Sequence, residues 1–325
     1  MKYTRLGTSG LQISRIVVGC MSFGEPNRGT HEWTLDLDDA RPLIKQAFDA
    51  GITTFDTANV YSLGSSEEIL GKLIGEIGRR DQIIIATKLW GRMGAGPNDS
   101  GLSRGAILTQ VDASLKRLKT DYIDLYQIHR YDANTPIEET LEALHDLVRS
   151  GKVRYIGASS MWTWQFVQAQ YLADLHGWTR FVSMQNHYNL LMREEEREMF
   201  PFCVNQGIGT LPWSPLARGR LTRDWQAATR RSETDAFGKS LYKQSEESDR
   251  RILDAVAAIA KEREVSQAQI AMAWVLHRPA VTAPIVGATK TAHLTDAIAA
   301  VDLQLNTDEC KRLEEHYIPH AQEGI

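Results

Sequence analysis

The sequence predicts a (β/α)8 barrel, and three observations carry that prediction. Eight apolar, β-rich runs recur along the chain: RIVVGCMSF (15–23), ITTFDTA (52–58), QIIIATKLW (82–90), YIDLYQIHR (122–130), VRYIGASS (153–160), RFVSMQNH (180–187), GIGTLPWSP (207–215) and VTAPIVGA (281–288). Most are continuously apolar rather than alternating, which marks strands buried on both faces, as in a parallel sheet covered by helices. Helical patterns fill the intervals between them. The rival architecture, an open doubly wound sheet, would want a G-x-G-x-x-G fingerprint after an early strand. GRMGAGPND (91–99) follows the third run without completing one, and no P-loop pattern occurs. A barrel of this kind accommodates all 325 residues as one domain, 1–325.

Taken in order, KYTRLGTSGLQIS (2–14) reads as an N-terminal hairpin with glycine at its turn, a plug for one barrel end. Ser65 and Glu68 form a capping-box pattern before EEILGKLIGEI. SRGAILTQVDASLKRL places Ile107, Val111, Leu115 and Leu118 on one stripe. Thr135, Pro136 and Glu138 announce a helix with proline at its first position, Ile137, Leu141, Leu144 and Val148 on one face, and Ser150-Gly151 at its end. A long loop runs from 217 to 247, and 307–325 reads as an extra C-terminal helix and tail.

With 42% hydrophobic and 24% charged residues, composition is that of a globular chain able to bury a large core. A net charge of −4 gives no footprint for nucleic acid, so none is expected as a partner. No apolar run approaches a membrane span and the first residues have no apolar signal core, so no membrane partner is expected. Three dispersed cysteines, Cys20, Cys203 and Cys310, argue against a disulfide framework and a metal site, and for a cytoplasmic location.

In such barrels the active site lies at the C-terminal ends of the strands. The second run ends at Asp56, with Tyr61 in the loop that follows; the third ends near Lys88 and the fourth near His129. The set suits carbonyl reduction. A phenol is a weak acid at neutral pH, and a neighbouring ammonium lowers its pKa. Lys88 supplies that charge, Asp56 holds the lysine protonated, His129 orients the substrate oxygen, and Tyr61 donates the proton while a hydride reaches carbon. The helix opened by GATKTAHL offers an N-terminus to a phosphate.

FDTANVY, ATK and QIH resemble the Asp-Tyr-Lys-His tetrad of the aldo-keto reductases. The likeness extends through LGTSGLQIS, SLKRLKTDYIDLYQIH, GKVRYIGASS, MQNHYNLL, PWSPLARGRLT and PIVGATK. MSFGEPNRG, QIHRYDANTPIEETLEAL, REEERE and PWSPLARGRLTR are especially similar to the bacterial YajO-type branch, some members of which are linked to deoxyxylulose phosphate formation. The resemblance implies NADPH/NADP+ as cofactor, held across the barrel mouth. Ser159, Ser160 and Gln185 would hold the carboxamide and Trp213 would stack on the nicotinamide. Ser214, Leu216, Arg218, Gly219 and Arg220 would wrap the pyrophosphate. Gly287, Thr289, Lys290, His293 and Asp296 would form the adenosine-phosphate end. Ser160 stands where the family usually has asparagine, Ala297 stands where it has an adenine-side asparagine, and His293 replaces its usual arginine.

Met21, Phe23, Trp90, Arg92, Arg130, Tyr131 and Trp162 follow strand ends and form the expected pocket wall. The arginines suit a phosphate or carboxylate on the substrate, and the aromatics suit benzaldehyde-like compounds. Two other functions fit the same fold: a sugar-phosphate synthase or lyase without redox chemistry, and a cofactor-binding regulatory module like channel β-subunits.

Overall fold

The computed structural model describes residues 1–29, 33–224, 241–242 and 246–322. The chain opens with two short strands, β1 (Tyr3–Arg5) and β2 (Gln12–Ser14). They pair antiparallel as the expected hairpin, with Thr4 opposite Ile13. Eight further strands follow: β3 (Val17–Gly19), β4 (Thr54–Asp56), β5 (Ile84–Leu89), β6 (Ile123–Ile128), β7 (Val153–Ser159), β8 (Ser183–Gln185), β9 (Gly209–Thr210) and β10 (Ile285–Gly287). Every predicted strand contains one of them. They form a single 8-stranded sheet in the order β10-β3-β4-β5-β6-β7-β8-β9, with parallel neighbours throughout. The ring closes because Thr282 N donates to Thr210 O at 3.0 Å and Ile285 N to Pro212 O at 2.8 Å.

Ten helices are described: α1 (Leu37–Asp49), α2 (Ser65–Ile77), α3 (Arg104–Leu118), α4 (Ile137–Arg149), α5 (Thr163–His176), α6 (Met199–Gln206), α7 (Glu246–Arg263), α8 (Gln267–Leu276), α9 (Thr291–Ala300) and α10 (Thr307–Glu314). The expected stripes face inward: Ile107 and Val111 of α3, and Ile137, Leu141 and Leu144 of α4, are buried against the sheet.

Two expected caps are not made, because other partners claim their side chains. Ser65 Oγ accepts from Glu25 N at 2.9 Å and Glu68 pairs with Arg28 at 2.9 Å, so α2 starts instead from Gly64 in a left-handed conformation. Thr135 Oγ1 donates to Asp132, and Pro136 sits one position earlier than expected, at the cap of α4. The loop expected over 217–247 is shorter at both ends. Ala217–Thr222 form 3-10 turns and α7 begins at Glu246. Residues 225–240 and 243–245, with Arg230, Arg231, Lys239 and Lys243, lie outside the described residues.

The hairpin seals the barrel at the N-terminal ends of the strands. Leu6, Leu11 and Ile13 pack with Val17, Ala86, Leu125, Leu211 and Ala283. Thr8 N donates to Gly207 O at 2.7 Å, beside the start of β9. Gly7 makes this approach possible: its φ is +58°, and a Cβ there would fall 2.2 Å from Gly207 O.

Candidate active site

Strand periodicity builds the site. Alternate residues of a strand point to opposite faces. Phe55, Ile85, Tyr126, Ile156 and Met184 face the helices and join the main apolar core. Asp56, Lys88, Gln127, Ser159 and Gln185 take the other parity and point into the barrel. The register brings these residues to one level, with Lys88 opposite Gln127 and Ser159 opposite Gln185. Gly157 leaves the space that Gln127 needs, since a Cβ there would lie 3.1 Å from Gln127 Cγ.

Lys88 is fully buried, and all three ammonium hydrogens have acceptors. Nζ donates to Asp56 Oδ2 at 2.5 Å, to Thr57 O at 2.9 Å and to the Tyr61 hydroxyl at 3.3 Å. Burial pulls its pKa down, but the charge of Asp56 and the hydrogen bonds to Asp56 and Tyr61 outweigh burial and hold it above the ordinary lysine value. Asp56 Oδ1 accepts from the side-chain amides of Gln127 and Gln185, both at 3.0 Å. The carboxylate is thus clamped by three donors, one of them its cation. His129 sets its ring edge-on to that of Tyr61, with centroids 5.6 Å apart. Burial, then the charges of Lys88 and Arg130, push its pKa well below the usual histidine range. It is a neutral imidazole at pH 7, able to donate one hydrogen bond.

Asp56, Tyr61 and His129 line a cavity of ≈ 760 Å³ at this end of the barrel. Of the residues expected to hold a cofactor, Ser159, Gln185, Trp213, Ser214, Leu216, Arg218, Gly219, Gly287, Thr289, Lys290, His293 and Asp296 line the same cavity. Two do not. Arg220 lies over the ring of Tyr242 at 4.9 Å, and Ser160 is buried behind the wall. Ser160 instead holds the indole in place, its Oγ accepting from Trp213 Nε1 at 3.0 Å. His187 stacks on the indole at 4.1 Å, and His187 Nε2 and Asn189 Nδ2 both meet the Tyr242 hydroxyl. Trp213 is therefore fixed on one face and presents the other to the cavity. Ala297 is buried in the apolar core.

Of the expected pocket wall, Met21 and Arg130 line the cavity. Phe23 does not: it is wholly buried in the core, where β-type pairing with Leu35 holds it. Trp90 leaves its strand with φ +125° and stands 38% exposed, and Trp162 is 45% exposed at the cap of α5. Tyr131 leans on Trp164, and Arg92 Nη1 is drawn to the carbonyls of Gly94 and Gly96 in its own loop. All four lie outside the cavity wall. In their place the wall includes Ser22, Trp33 and Leu35 from the segment after β3, and Thr222 and Arg223. No periodic pattern marks the β3–α1 segment in the sequence. His187 and Asn189 had a signal, in the polar run QNHYN after an apolar strand. No cluster able to hold a metal ion occurs among the described residues.

The family model for the Aldo/keto reductase family matches residues 15–318. The chain is 45% identical to versiconal hemiacetal acetate reductase of Aspergillus parasiticus, over 99% of this chain and 98% of that protein. It is also 45% identical to a putative aryl-alcohol dehydrogenase of Schizosaccharomyces pombe, over 99% of this chain and 97% of the relative. Identity to an aldo-keto reductase of Fusarium vanettenii is 43%, over 99% of this chain and 92% of that protein. These relatives are fungal, so the expected placement in a bacterial YajO-type branch is not supported. The match over 15–318 and the near full-length relatives agree: the chain belongs to the aldo/keto reductase family.

Proposed function

We propose that the protein reduces aldehyde and ketone carbonyls to alcohols with NADPH, and that Tyr61 donates the proton. The observation that carries this reading is the Lys88 ammonium, whose three hydrogens are shared between Asp56, Thr57 O and the Tyr61 hydroxyl. A hydroxyl that accepts from a buried cation loses its proton more readily to a substrate oxygen, and the cation stabilises the phenolate left behind. Neutral His129 holds the carbonyl oxygen by hydrogen bonding, so the proton and the orienting group reach the same atom.

The residues around the cavity fit a nicotinamide dinucleotide. Gly287 lies in the wall with nothing within 4 Å of its Cβ position, which leaves a cradle for a bulky group. Ser159 and Gln185 present polar groups beside Asp56, and Trp213 offers an aromatic face. Ala217, Arg218 and Gly219 all have positive φ, and this bend of backbone brings the Arg218 side chain into the cavity wall, a positive charge for an anion. The first turn of α9 has no side-chain cap, and Thr289 and Lys290 stand beside it. Bound there, the cofactor supplies a hydride to the carbonyl carbon. Lys290 favours the 2′-phosphate of NADPH, while Asp296 is turned to Gln269 Nε2 at 2.8 Å.

A panel of aromatic aldehydes, quinones and sugar phosphates, assayed for NADPH oxidation, tests the proposal. The names of the relatives make aromatic aldehydes the first choice. No NADPH consumption with any carbonyl would overturn it, and product formation without NADPH consumption would favour a sugar-phosphate lyase. We further propose that the chain works in the cytoplasm as one domain. Its three free cysteines support that compartment, and among the described residues no helix is long and apolar enough to cross a membrane. Cell fractionation tests the location.

A further inference from the structure

Arginines that are partly or wholly withdrawn from solvent need an acceptor for their charge. Four of the described ones show how such acceptors are supplied. Arg80 pairs with Asp124 at 2.7 Å, Arg117 with Glu67 at 2.6 Å and Arg193 with Glu196 at 2.9 Å. Arg15 pairs with no carboxylate, but it donates to the carbonyls of Leu276, Val281 and Thr282. Arg130 has one hydrogen-bond acceptor among the described residues. Its Nη1 donates to the backbone carbonyl of the preceding residue, His129, at 2.7 Å, and among the described residues no carboxylate pairs with it. Burial depresses its pKa. Its remaining N–H groups belong to a side chain that lines the cavity beside Tyr61 and His129.

The other cations of the cavity lie elsewhere in the chain, on 218–223 and 289–293, where the cofactor phosphates are placed under the proposed function. Arg92 is committed to Gly94 and Gly96. Arg130 is thus the cation nearest in sequence to the group that holds the carbonyl oxygen. A guanidinium stays charged when buried, and its planar fork matches a carboxylate.

We propose that Arg130 is a specificity-determining residue that selects aldehydes and ketones carrying a carboxylate. The inference rests on the carbonyl-reduction reading. His129 and Tyr61 hold the reacting oxygen, and the adjoining guanidinium receives the anionic end of the same short molecule. The substrate carboxylate then supplies the counter-charge that the protein omits.

The test compares 3- and 4-carboxybenzaldehyde with their methyl esters, in wild type, Arg130→Gln and Arg130→Lys. The readout is the ratio of kcat/KM for acid over ester, so a loss common to both substrates cancels. Wild type should favour the better acid by roughly ten- to a hundredfold, the gain of one charge-assisted contact. Arg130→Gln should bring the ratio near one, and Arg130→Lys should keep part of it. A wild-type ratio near one, or a ratio unchanged in Arg130→Gln, overturns the proposal. So does discrimination confined to glyceraldehyde 3-phosphate over glyceraldehyde, which would make the site a phosphate site. Calorimetric titration of wild type with benzoate and benzamide requires neither turnover nor a folded variant. Benzoate should bind at least tenfold tighter, and equal affinities overturn the anion site. If wild type reduces no aldehyde yet binds benzoate selectively, the carbonyl-reduction reading fails while the anion site stands.

Discussion

At the N-terminal ends of the strands, Leu6, Leu11 and Ile13 of the hairpin meet Val17, Leu125 and Ala283, and Thr8 is bonded to Gly207. At the opposite ends, the inward positions of the same strands carry Asp56, Lys88, Gln127, Ser159 and Gln185, above which the chain bends through Ser160, Ser214, Ala217, Arg218 and Gly219 with positive φ. One end excludes water with apolar contact. The other buries an ion pair and bends the backbone into sparsely populated conformations, both of which oppose stability. The difference teaches that the plug stabilises an assembly whose other end is shaped for chemistry.

The sharpest way to break this division is at the ion pair. Tyr61→Phe should lower turnover by roughly 10²–10⁴-fold with little change in melting temperature. Lys88→Met should lose a similar factor and also stability, by about 3–5 kcal/mol, because Asp56 is left buried without its cation. Near-wild-type turnover of purified, folded Tyr61→Phe would remove that hydroxyl from the mechanism. At the plugged end the balance should invert. Gly7→Ala forces a Cβ against Gly207 O with φ at +58°, and should cost about 2–5 kcal/mol of stability. Its kcat/KM per folded molecule should match wild type; a specific loss of activity would show that the two ends are coupled.

Smaller effects lie at the cofactor end. Lys290→Ala should weaken NADPH binding roughly ten- to a hundredfold and leave NADH nearly unchanged, measured by fluorescence titration. Equal losses would remove Lys290 from the 2′-phosphate site. The smallest effect is one of pH. The folded pKa of His129 lies below its unfolded value, so between the two the unfolded chain binds the extra proton and stability falls as pH drops below about 6.5. His129→Asn should therefore show a smaller drop in melting temperature from pH 7 to pH 5 than wild type. An identical drop would mean that the protein does not hold the pKa of His129 down.

The alternation of buried strands and amphipathic helices was legible because it is local: each apolar run records burial on both faces. The meeting of Asp56, Tyr61, Lys88 and His129 at one barrel end was legible for the same reason, since a lysine such as Lys88 ending the run IIIATK departs from the apolar pattern at a strand end. Partnerships across the barrel were not. Gln127 reads as one more polar residue in LYQIH, yet it clamps Asp56 from 71 residues away. Ser65 carries a correct capping signature but is bonded to Glu25 N, 40 residues away. The aromatics after strand ends misled, because a side chain that follows a strand turns inward or outward according to its loop. Trp90 and Trp162 turned out, while Trp33, from a segment without periodicity, turned in.

The bond between Thr8 and Gly207 joins partners 199 residues apart. During synthesis the hairpin leaves the ribosome ahead of the glycines it docks against, which are made roughly 10–40 s later at ordinary elongation rates. For that interval Leu6, Leu11 and Ile13 have no barrel to enter. The segment that finally seals this end of the barrel thus waits exposed while the rest is made, and chaperone protection of nascent chains should matter to it.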